Sequence, residues 1–333
     1  MNISKISTGQ LAGQKLMVGF DGSELDPELK FYIDNLKVGG IILFSRNILS
    51  PRQLEDLCTS AQDYAAYCGQ PPLFIGIDQE GGVVARLKPP FTQFPGNSKM
   101  RSIEDAMEFA KITSRELSGV GINMNMAPVM DVAPEGIGSI MSKRAFGSDP
   151  EWVSALGITV IEHLQKGRVL AVAKHFPGIG RTTLDSHLDL PVSDTTLKEL
   201  KNFDIPPFKA AIEKNVSGIM LSHIKYEKID KAWPASLSNI IAKDMLRKEL
   251  GFHGIVITDD LDMGAIEKHY DIKTSIDKIF EADIDIALIC HPGPKIPEAF
   301  EMFKTKIKSN ENSRKKGLAS VQRILEMKTL FNI

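Results

Sequence analysis

Short apolar runs alternate along the chain with longer segments that have helical periodicity. Eight runs of four to six residues lie at 16–20, 40–44, 73–77, 122–126, 170–173, 218–221, 254–257 and 284–289. Most of them are nearly continuous rather than alternating apolar and polar. Strands that are covered on both faces have this pattern, and such strands are typical of parallel sheets.

Amphipathic helical patterns lie between these runs. The clearest occupy residues 51–67, 103–117, 152–165, 197–213 and 239–250, and a last one at about 312–330 would complete an outer ring. Eight strands with intervening helices in 333 residues predict an α/β fold, a (β/α)8 TIM-type barrel. A doubly wound open sheet is the main alternative. No internal repeat or low-complexity linker is evident, so one barrel domain is expected over residues 1–333.

Polar residues follow the predicted strands at one end. They are Asp78, Asp131, Lys174 with His175, His223, Asp259 with Asp260, and His291. In a (β/α)8 barrel the active site lies at the carboxyl ends of the strands. These side chains are therefore predicted to surround one active site.

Composition and charge exclude several classes of function. The chain is 43% hydrophobic and 25% charged, which fits a soluble globular protein with a large core. A formal net charge of -2 gives no excess of positive charge for binding nucleic acid or an anionic membrane. No apolar run has the length needed to span a bilayer. We therefore expect a small-molecule partner, with neither nucleic acid nor membrane.

The N-terminus and the cysteines favour the cytoplasm. Residues 1–8 lack the apolar core of a signal peptide. Cys58, Cys68 and Cys290 are odd in number and have no metal-ligand spacing, which argues against a disulfide framework.

The segment from Lys174 to Pro191 is the richest in chemistry. It follows a predicted strand, and its glycines and prolines favour a loop. Asp185 and His187 are two residues apart, so in an extended segment both point the same way. A carboxylate beside an imidazole fixes its tautomer and supports general acid–base catalysis. A purely structural Asp–His hydrogen bond is the alternative.

Asp78 opens a second motif, Asp78-Gln-Glu-Gly-Gly82. Its carboxylate could accept hydrogen bonds from sugar hydroxyls, and the two glycines allow close approach of a ligand. A capping aspartate before the next element is the alternative.

A third motif places Asp259, Asp260 and Asp262 within four positions. Three such carboxylates cannot all be buried and ionised without a large penalty. At most one is expected to face the barrel mouth, and the others could cap the following helix. Taken alone, the motif fits a nucleophile, a metal site or a helix start.

Together these motifs resemble family 3 glycoside hydrolases, in particular the bacterial β-N-acetylglucosaminidase branch that includes the cell-wall-recycling enzymes. The motifs occur in the family's order between about residues 18 and 288. They are Asp78-Gln-Glu-Gly-Gly, Ala127-Pro-Val-Met-Asp131, Arg144-Ala-Phe-Gly-Ser-Asp-Pro150, Lys174-His-Phe-Pro-Gly, Asp185-Ser-His187, Pro234-Ala-Ser-Leu-Ser238 and Thr258-Asp-Asp-Leu.

The resemblance implies a retaining mechanism through a covalent glycosyl-enzyme, without metal or cofactor. It places the nucleophile on Asp259 and the acid/base on His187, with Asp185 as its partner. Some relatives carry a second, C-terminal domain, and because this chain ends after the predicted barrel we expect the single-domain form. The positions that hold N-acetylglucosamine fall on Asp78, Arg86, Arg144, Lys174 and His175.

An imidazole acid fits this chemistry. A retaining glycosidase needs a nucleophile on one face of the sugar and an acid near the leaving oxygen. An ordinary imidazole titrates near pH ~6.5, so it can serve as acid and then as base near neutrality. Two residues depart from the family pattern: Ile179 stands where histidine is common, and Val83 where arginine is common. Both are expected beside the mouth and bear on the aglycone.

Several readings stay open at this point. Peptidoglycan-derived fragments and chitooligosaccharides both fit as substrates, and a phosphorylase acting on a β-N-acetylglucosaminide or β-glucoside would share the covalent intermediate. A metal-dependent hydrolase could use His175, Asp185, His187 and Asp259 as ligands. A catalytically silent sugar-binding barrel belongs to a different class.

Overall fold

Eight parallel strands close into a barrel in the order of the chain. They are β1 (Leu16–Val18), β2 (Gly40–Leu43), β3 (Phe74–Ile77), β4 (Met124–Asn125), β5 (Leu170–Phe176), β6 (Gly218–Leu221), β7 (Ile255–Asp260) and β8 (Ile286–Ile289). Leu16 lies in register with Ala287, so β1 and β8 seal the barrel. The computed structural model describes residues 6–333. The first five residues of the segment considered for a signal peptide lie outside them.

All eight predicted strands are present, and the closed barrel excludes the open sheet. The α-helices are Thr8–Gly13, Pro27–Asp34, Pro51–Tyr67, Ile103–Gly119, Pro150–Lys166, Leu197–Glu199, Pro206–Glu213, Gly264–Glu267, Ile272–Glu281, Lys295–Lys308 and Glu311–Leu330, with π-helical turns at Leu200–Asp204 and Ile240–Glu249. The single helix predicted over 197–213 is wrong. Pro206 and Pro207 lack backbone donors, so a new helix begins at Pro206.

Two short strand pairs lie outside the barrel wall. Gln79–Gly81 and Val84–Ala85 form an antiparallel hairpin directly after β3. Val192–Ser193 and Lys225–Tyr226 pair in parallel beyond β5 and β6. Both pairs follow strand carboxyl ends and so build up that side of the barrel.

The last helix closes the other end of the barrel. Ile324 and Phe331 pack with the apolar side chains of the barrel interior, including Met17 and Phe74. Lys328 donates to the carbonyl of Gly39, just before β2. The prediction placed this helix in the outer ring, whereas its C-terminal half covers the amino ends of the strands. No helix among residues 6–333 is long and apolar enough to cross a membrane.

Candidate active site

A cavity at the carboxyl ends of the strands brings the predicted site residues together. All eight line it: Asp78, Arg86, Arg144, Lys174, His175, Asp185, His187 and Asp259. They come from β5 and β7 and from the loops that follow β3, β4 and β5. The placement at this edge follows the prediction, and the roles of the individual residues stay predictions.

The floor of the cavity is a partly buried network of opposite charges. Lys174 Nζ lies 2.6 Å from Asp78 Oδ1 and 2.7 Å from Glu80 Oε1. Arg144 forms a two-pronged pair with Glu80, at 2.7 and 3.0 Å. Arg86 Nη2 lies 3.3 Å from Asp78 Oδ2. Since every charge has an opposite partner, the network can stay ionised away from water.

This pairing controls the protonation of the floor. Burial acts to raise the pKa of Asp78, but Lys174 and Arg86 outweigh it and lower that pKa to about 2. The pKa of Glu80 is likewise lowered by Lys174 and Arg144 against its burial. Both carboxylates therefore carry negative charge at neutral pH, and Asp78, which lines the cavity, can accept hydrogen bonds from hydroxyl groups.

His175 is held by a carboxylate behind the cavity wall. Its Nδ1 lies 2.7 Å from Asp131 Oδ2, and both side chains are buried. Asp131 also accepts from the backbone amide of Ile179, at 2.8 Å. The other ring nitrogen of His175 lies 3.4 Å from Arg144 Nη2. The imidazole therefore has a fixed orientation at the edge of the charged floor.

Asp185 and His187 form a second pair of the same kind in an exposed loop. His187 Nδ1 lies 2.7 Å from Asp185 Oδ1, and the same oxygen accepts from the His187 backbone amide at 2.9 Å. Partial burial acts to raise the pKa of Asp185, but these two hydrogen bonds lower it overall. The carboxylate therefore stays ionised and accepts a hydrogen bond from Nδ1–H of His187. Nε2 is then the ring nitrogen that is left to exchange protons.

The three carboxylates at the end of β7 and just after it, Asp259, Asp260 and Asp262, are not arranged as predicted. Asp259 and Asp260 both line the cavity, although at most one was expected there. Asp260 accepts from the backbone amides of Asp262 and Cys290, and its burial raises its pKa to about 6. The capping prediction is also wrong, because Met263 precedes the helix Gly264–Glu267 without a side-chain cap. Asp262 instead pairs with Lys295, at 2.8 Å.

His223, just after β6, contacts the end of β7 beside the nucleophile candidate Asp259. It is buried, and burial lowers its pKa although nearby Asp259 acts to raise it. Its Nε2 lies 2.8 Å from the carbonyl of Asp260 and its Nδ1 lies 2.7 Å from Ser236 Oγ. A carbonyl can only accept, so Nε2 carries the proton and Nδ1 of the neutral ring accepts from Ser236.

Three residues with clear contacts here were not given a role from the sequence: Glu80, Asp131 and His223. Asp131 and His223 were noted at strand ends, and Glu80 lies inside the motif of Asp78. The sequence thus indicated where these residues lie, but it could not indicate their contact partners, which are distant along the chain. Glu80 and Arg144, for example, are 64 residues apart.

The two departures from the family pattern lie in different environments. Ile179 is buried and lines the cavity. Val83 is 66% exposed at the tip of the hairpin, where Val84 rather than Val83 reaches the cavity. Of the two, only Ile179 is placed to touch a ligand in the cavity.

The closed parallel barrel and the polar cavity at its strand ends define an enzyme of the (β/α)8 class. The family model described as "Glycosyl hydrolase family 3 N terminal domain" matches residues 8–327. The chain therefore belongs to glycosyl hydrolase family 3 and is a glycoside hydrolase.

Similar proteins agree on the family. A beta-hexosaminidase from Thiobacillus denitrificans is 35% identical over 83% of this chain and 78% of its own length. The structure of a family 3 beta-N-acetylglucosaminidase from Paenibacillus sp. strain FPU-7 is similar with a TM-score of 0.92 at 34% identity, and this chain covers 63% of its length. NagZ from Neisseria gonorrhoeae, solved with N-trifluoroacetyl-D-glucosamine, is 30% identical with a TM-score of 0.78, over 93% of this chain and 89% of its own.

Proposed function

We propose that this protein is a retaining exo-β-N-acetylglucosaminidase. Its substrates would be peptidoglycan-derived fragments or chitooligosaccharides that end in β-linked N-acetylglucosamine. The observation that carries the proposal is the arrangement of three residues in one cavity: Asp259 on β7, and His187 with its Nδ1 bound to Asp185. A nucleophile and an acid/base are the two groups that a retaining glycosidase requires.

In the first step the Asp259 carboxylate attacks the anomeric carbon and the glycosidic C–O bond breaks. His187 Nε2–H gives its proton to the departing oxygen, and the aglycone leaves as an alcohol. Asp185 stabilises the protonated ring before transfer and keeps Nδ1–H in place afterwards. The products of this step are a glycosyl ester on Asp259 and a neutral imidazole.

In the second step the neutral His187 takes a proton from water, whose oxygen attacks the anomeric carbon. The ester bond to Asp259 breaks, and both side chains return to their starting states. The sugar leaves with its original anomeric configuration because two inversions have occurred. The charged floor would bind its hydroxyl groups, with Asp78 as acceptor and Lys174, Arg86 and Arg144 as donors, while the buried Glu80 orients Lys174 and Arg144.

Similar proteins support the sugar in this proposal. The Paenibacillus enzyme acts as a beta-N-acetylglucosaminidase, and the Neisseria NagZ binds an N-acylated glucosamine. The cytoplasmic location and the single-domain organisation stay predictions.

Turnover of aryl β-N-acetylglucosaminides by purified variants tests the proposal. Asp259→Ala should abolish turnover, and His187→Ala should slow glycosylation least when the aryl leaving group is already acidic. Asp56→Ala and His253→Ala are matched controls, since both side chains are exposed and lie outside the cavity. Unimpaired turnover by Asp259→Ala would contradict the nucleophile assignment.

The same assay separates hydrolysis from phosphorolysis. Products are compared in phosphate and in a buffer without phosphate. Free N-acetylglucosamine with retained configuration in both buffers is expected. A sugar 1-phosphate as the main product in phosphate would favour the phosphorylase instead.

A further inference from the structure

Four successive residues of the His187 loop accept hydrogen bonds from one short segment after β7. The carbonyl of Ser186 accepts from the amide of Ala265 at 3.0 Å, and the carbonyl of His187 from the amide of Gly264 at 3.3 Å. Lys268 Nζ donates to the carbonyl of Leu188 and His269 Nε2 to Asp189 Oδ1, both at 2.6 Å. We call residues 185–189 the acid/base loop and residues 264–269 the dock.

Gly264 allows the acid/base loop to pack closely against the dock because it has no side chain. A Cβ atom at this position would lie 2.7 Å from the carbonyl oxygen of His187 and 2.8 Å from that of Leu188. These distances are shorter than carbon and oxygen tolerate without a bond. Any side chain at 264 would therefore push the acid/base loop away from the dock.

The dock also connects the acid/base to the nucleophile. Asp259 lies in β7, and the dock begins five residues later at Gly264. The side chains of Asp185 and His187 are 48% and 68% exposed, so packing of these side chains contributes little to fixing the loop. The four hydrogen bonds to the dock connect this loop to the segment that follows β7.

We propose that the dock positions His187 over the reacting bond, with Lys268 and His269 as positioning residues for the acid/base loop. The inference rests on the proposed roles of His187 and Asp259. A misplacement of about 1 Å can cost ~100-fold in rate, and acid/base catalysis as a whole is typically worth about 10²–10⁴-fold. Loss of the two side-chain hydrogen bonds should therefore remove a measurable part of the contribution of His187.

The test compares Lys268→Met, His269→Ala, the double variant and Gly264→Ala with wild type. Lys273→Met is the control for the lysine, because Lys273 is exposed on the next helix. Gly119→Ala is the control for the glycine, because a Cβ there meets no atom within 4 Å. Each protein is assayed for kcat/KM on aryl β-N-acetylglucosaminides of graded leaving-group acidity. Amide hydrogen exchange is measured on peptides covering residues 182–190.

The dock variants should exchange faster in this loop. Their kcat/KM should fall about 10-fold for poor leaving groups, a fraction of the acid/base contribution, and by less than about 2-fold for the most acidic one. Unchanged exchange would overturn the dock. Faster exchange together with the same fall in kcat/KM for all leaving groups, or with no fall in kcat/KM, would overturn the positioning role. A wild-type protein that cleaves none of the glycosides would contradict the proposed function, while the exchange data still test the dock.

Discussion

His187 Nδ1 lies 2.7 Å from Asp185 Oδ1, and both side chains are largely exposed. His175 makes an equally short contact with Asp131, but there both side chains are buried. The same chemical pair thus occurs twice beside one cavity, once exposed to solvent and once buried. The contribution of an ion pair to the free energy of unfolding depends on its burial. The two pairs should therefore respond differently when the aspartate is replaced by asparagine.

Asp185→Asn should reduce activity and leave stability intact. The amide cannot support a protonated imidazole, so kcat/KM on a substrate with a poor leaving group should fall about 10–100-fold, within the usual range for acid/base catalysis. Exposed pairs contribute only ~0–1 kcal/mol to the free energy of unfolding. Steady-state kinetics and urea unfolding on one preparation check both parts. A drop in stability above ~2 kcal/mol would show that the pair is structural.

Asp131→Asn, in contrast, should lower the stability of the protein. The buried carboxylate accepts from His175 Nδ1 and from the amide of Ile179, and an asparagine NH2 group would face one of these donors. Hydrogen bonds to a buried charge are worth about 1.5–3 kcal/mol, and we expect unfolding to become easier by about that amount. KM should rise as His175 loses its orientation. Urea unfolding with Asp56→Asn as control measures the effect; equal stabilities would contradict it.

The strands could be predicted because their burial leaves a signal in the sequence. β1, β2, β3, β6 and β8 are buried at every position and appear as short apolar runs. The end of β5 was missed for the converse reason. Lys174 and His175 are polar but buried in the strand, because Asp78, Glu80 and Asp131 neutralise or bind them.

The site was predicted as a set of residues but not as a set of contacts. The predicted edge of the barrel placed Asp78, Lys174 and Asp259 together, and the motifs added Arg144 and His187. Contacts between distant segments, such as that of Glu80 with Arg144, depend on side-chain geometry that no local pattern encodes. The dock was missed for the same reason, since half of its hydrogen bonds come from backbone amides that any residue but proline can offer.

Ile179→Ala and Val83→Ala should separate the two departures from the family pattern. Ile179 is buried in the cavity wall, so truncation should cost about 2–5 kcal/mol of stability and change KM, because the wall gains empty space. Val83 is exposed, so its truncation should change stability by less than ~0.5 kcal/mol and KM by less than 2-fold. Thermal unfolding and kinetics on one aryl glycoside give both quantities. Equal effects would mean that the hairpin tip also contacts the ligand.

Asp204→Asn should change how stability depends on pH. Asp204 is buried beside Arg181, 3.2 Å away, and anchors the start of the loop that leads to His187. Burial raises its pKa to about 7, although Arg181 acts to lower it. In the unfolded chain an aspartate titrates near ~3.9, so between about pH 4 and 7 the folded state binds more protons than the unfolded state. The contribution of Asp204 to the free energy of unfolding is therefore fully present below pH ~4 and is lost as the pH rises through about 7.

Asparagine cannot ionise, so the variant should escape this loss. The free energy of unfolding of Asp204→Asn minus that of wild type should rise by about 2–3 kcal/mol between pH 5 and pH 8. The attraction of Arg181 for the ionised carboxylate is already contained in the pKa of about 7, so only the exchange of a neutral carboxyl for an amide adds an offset that does not depend on pH. Urea unfolding at several pH values measures the difference, with Asp56→Asn, which replaces an exposed aspartate, as the control. A difference that stays flat from pH 5 to pH 8 would mean that Arg181 outweighs burial and that Asp204 is already ionised in the folded protein.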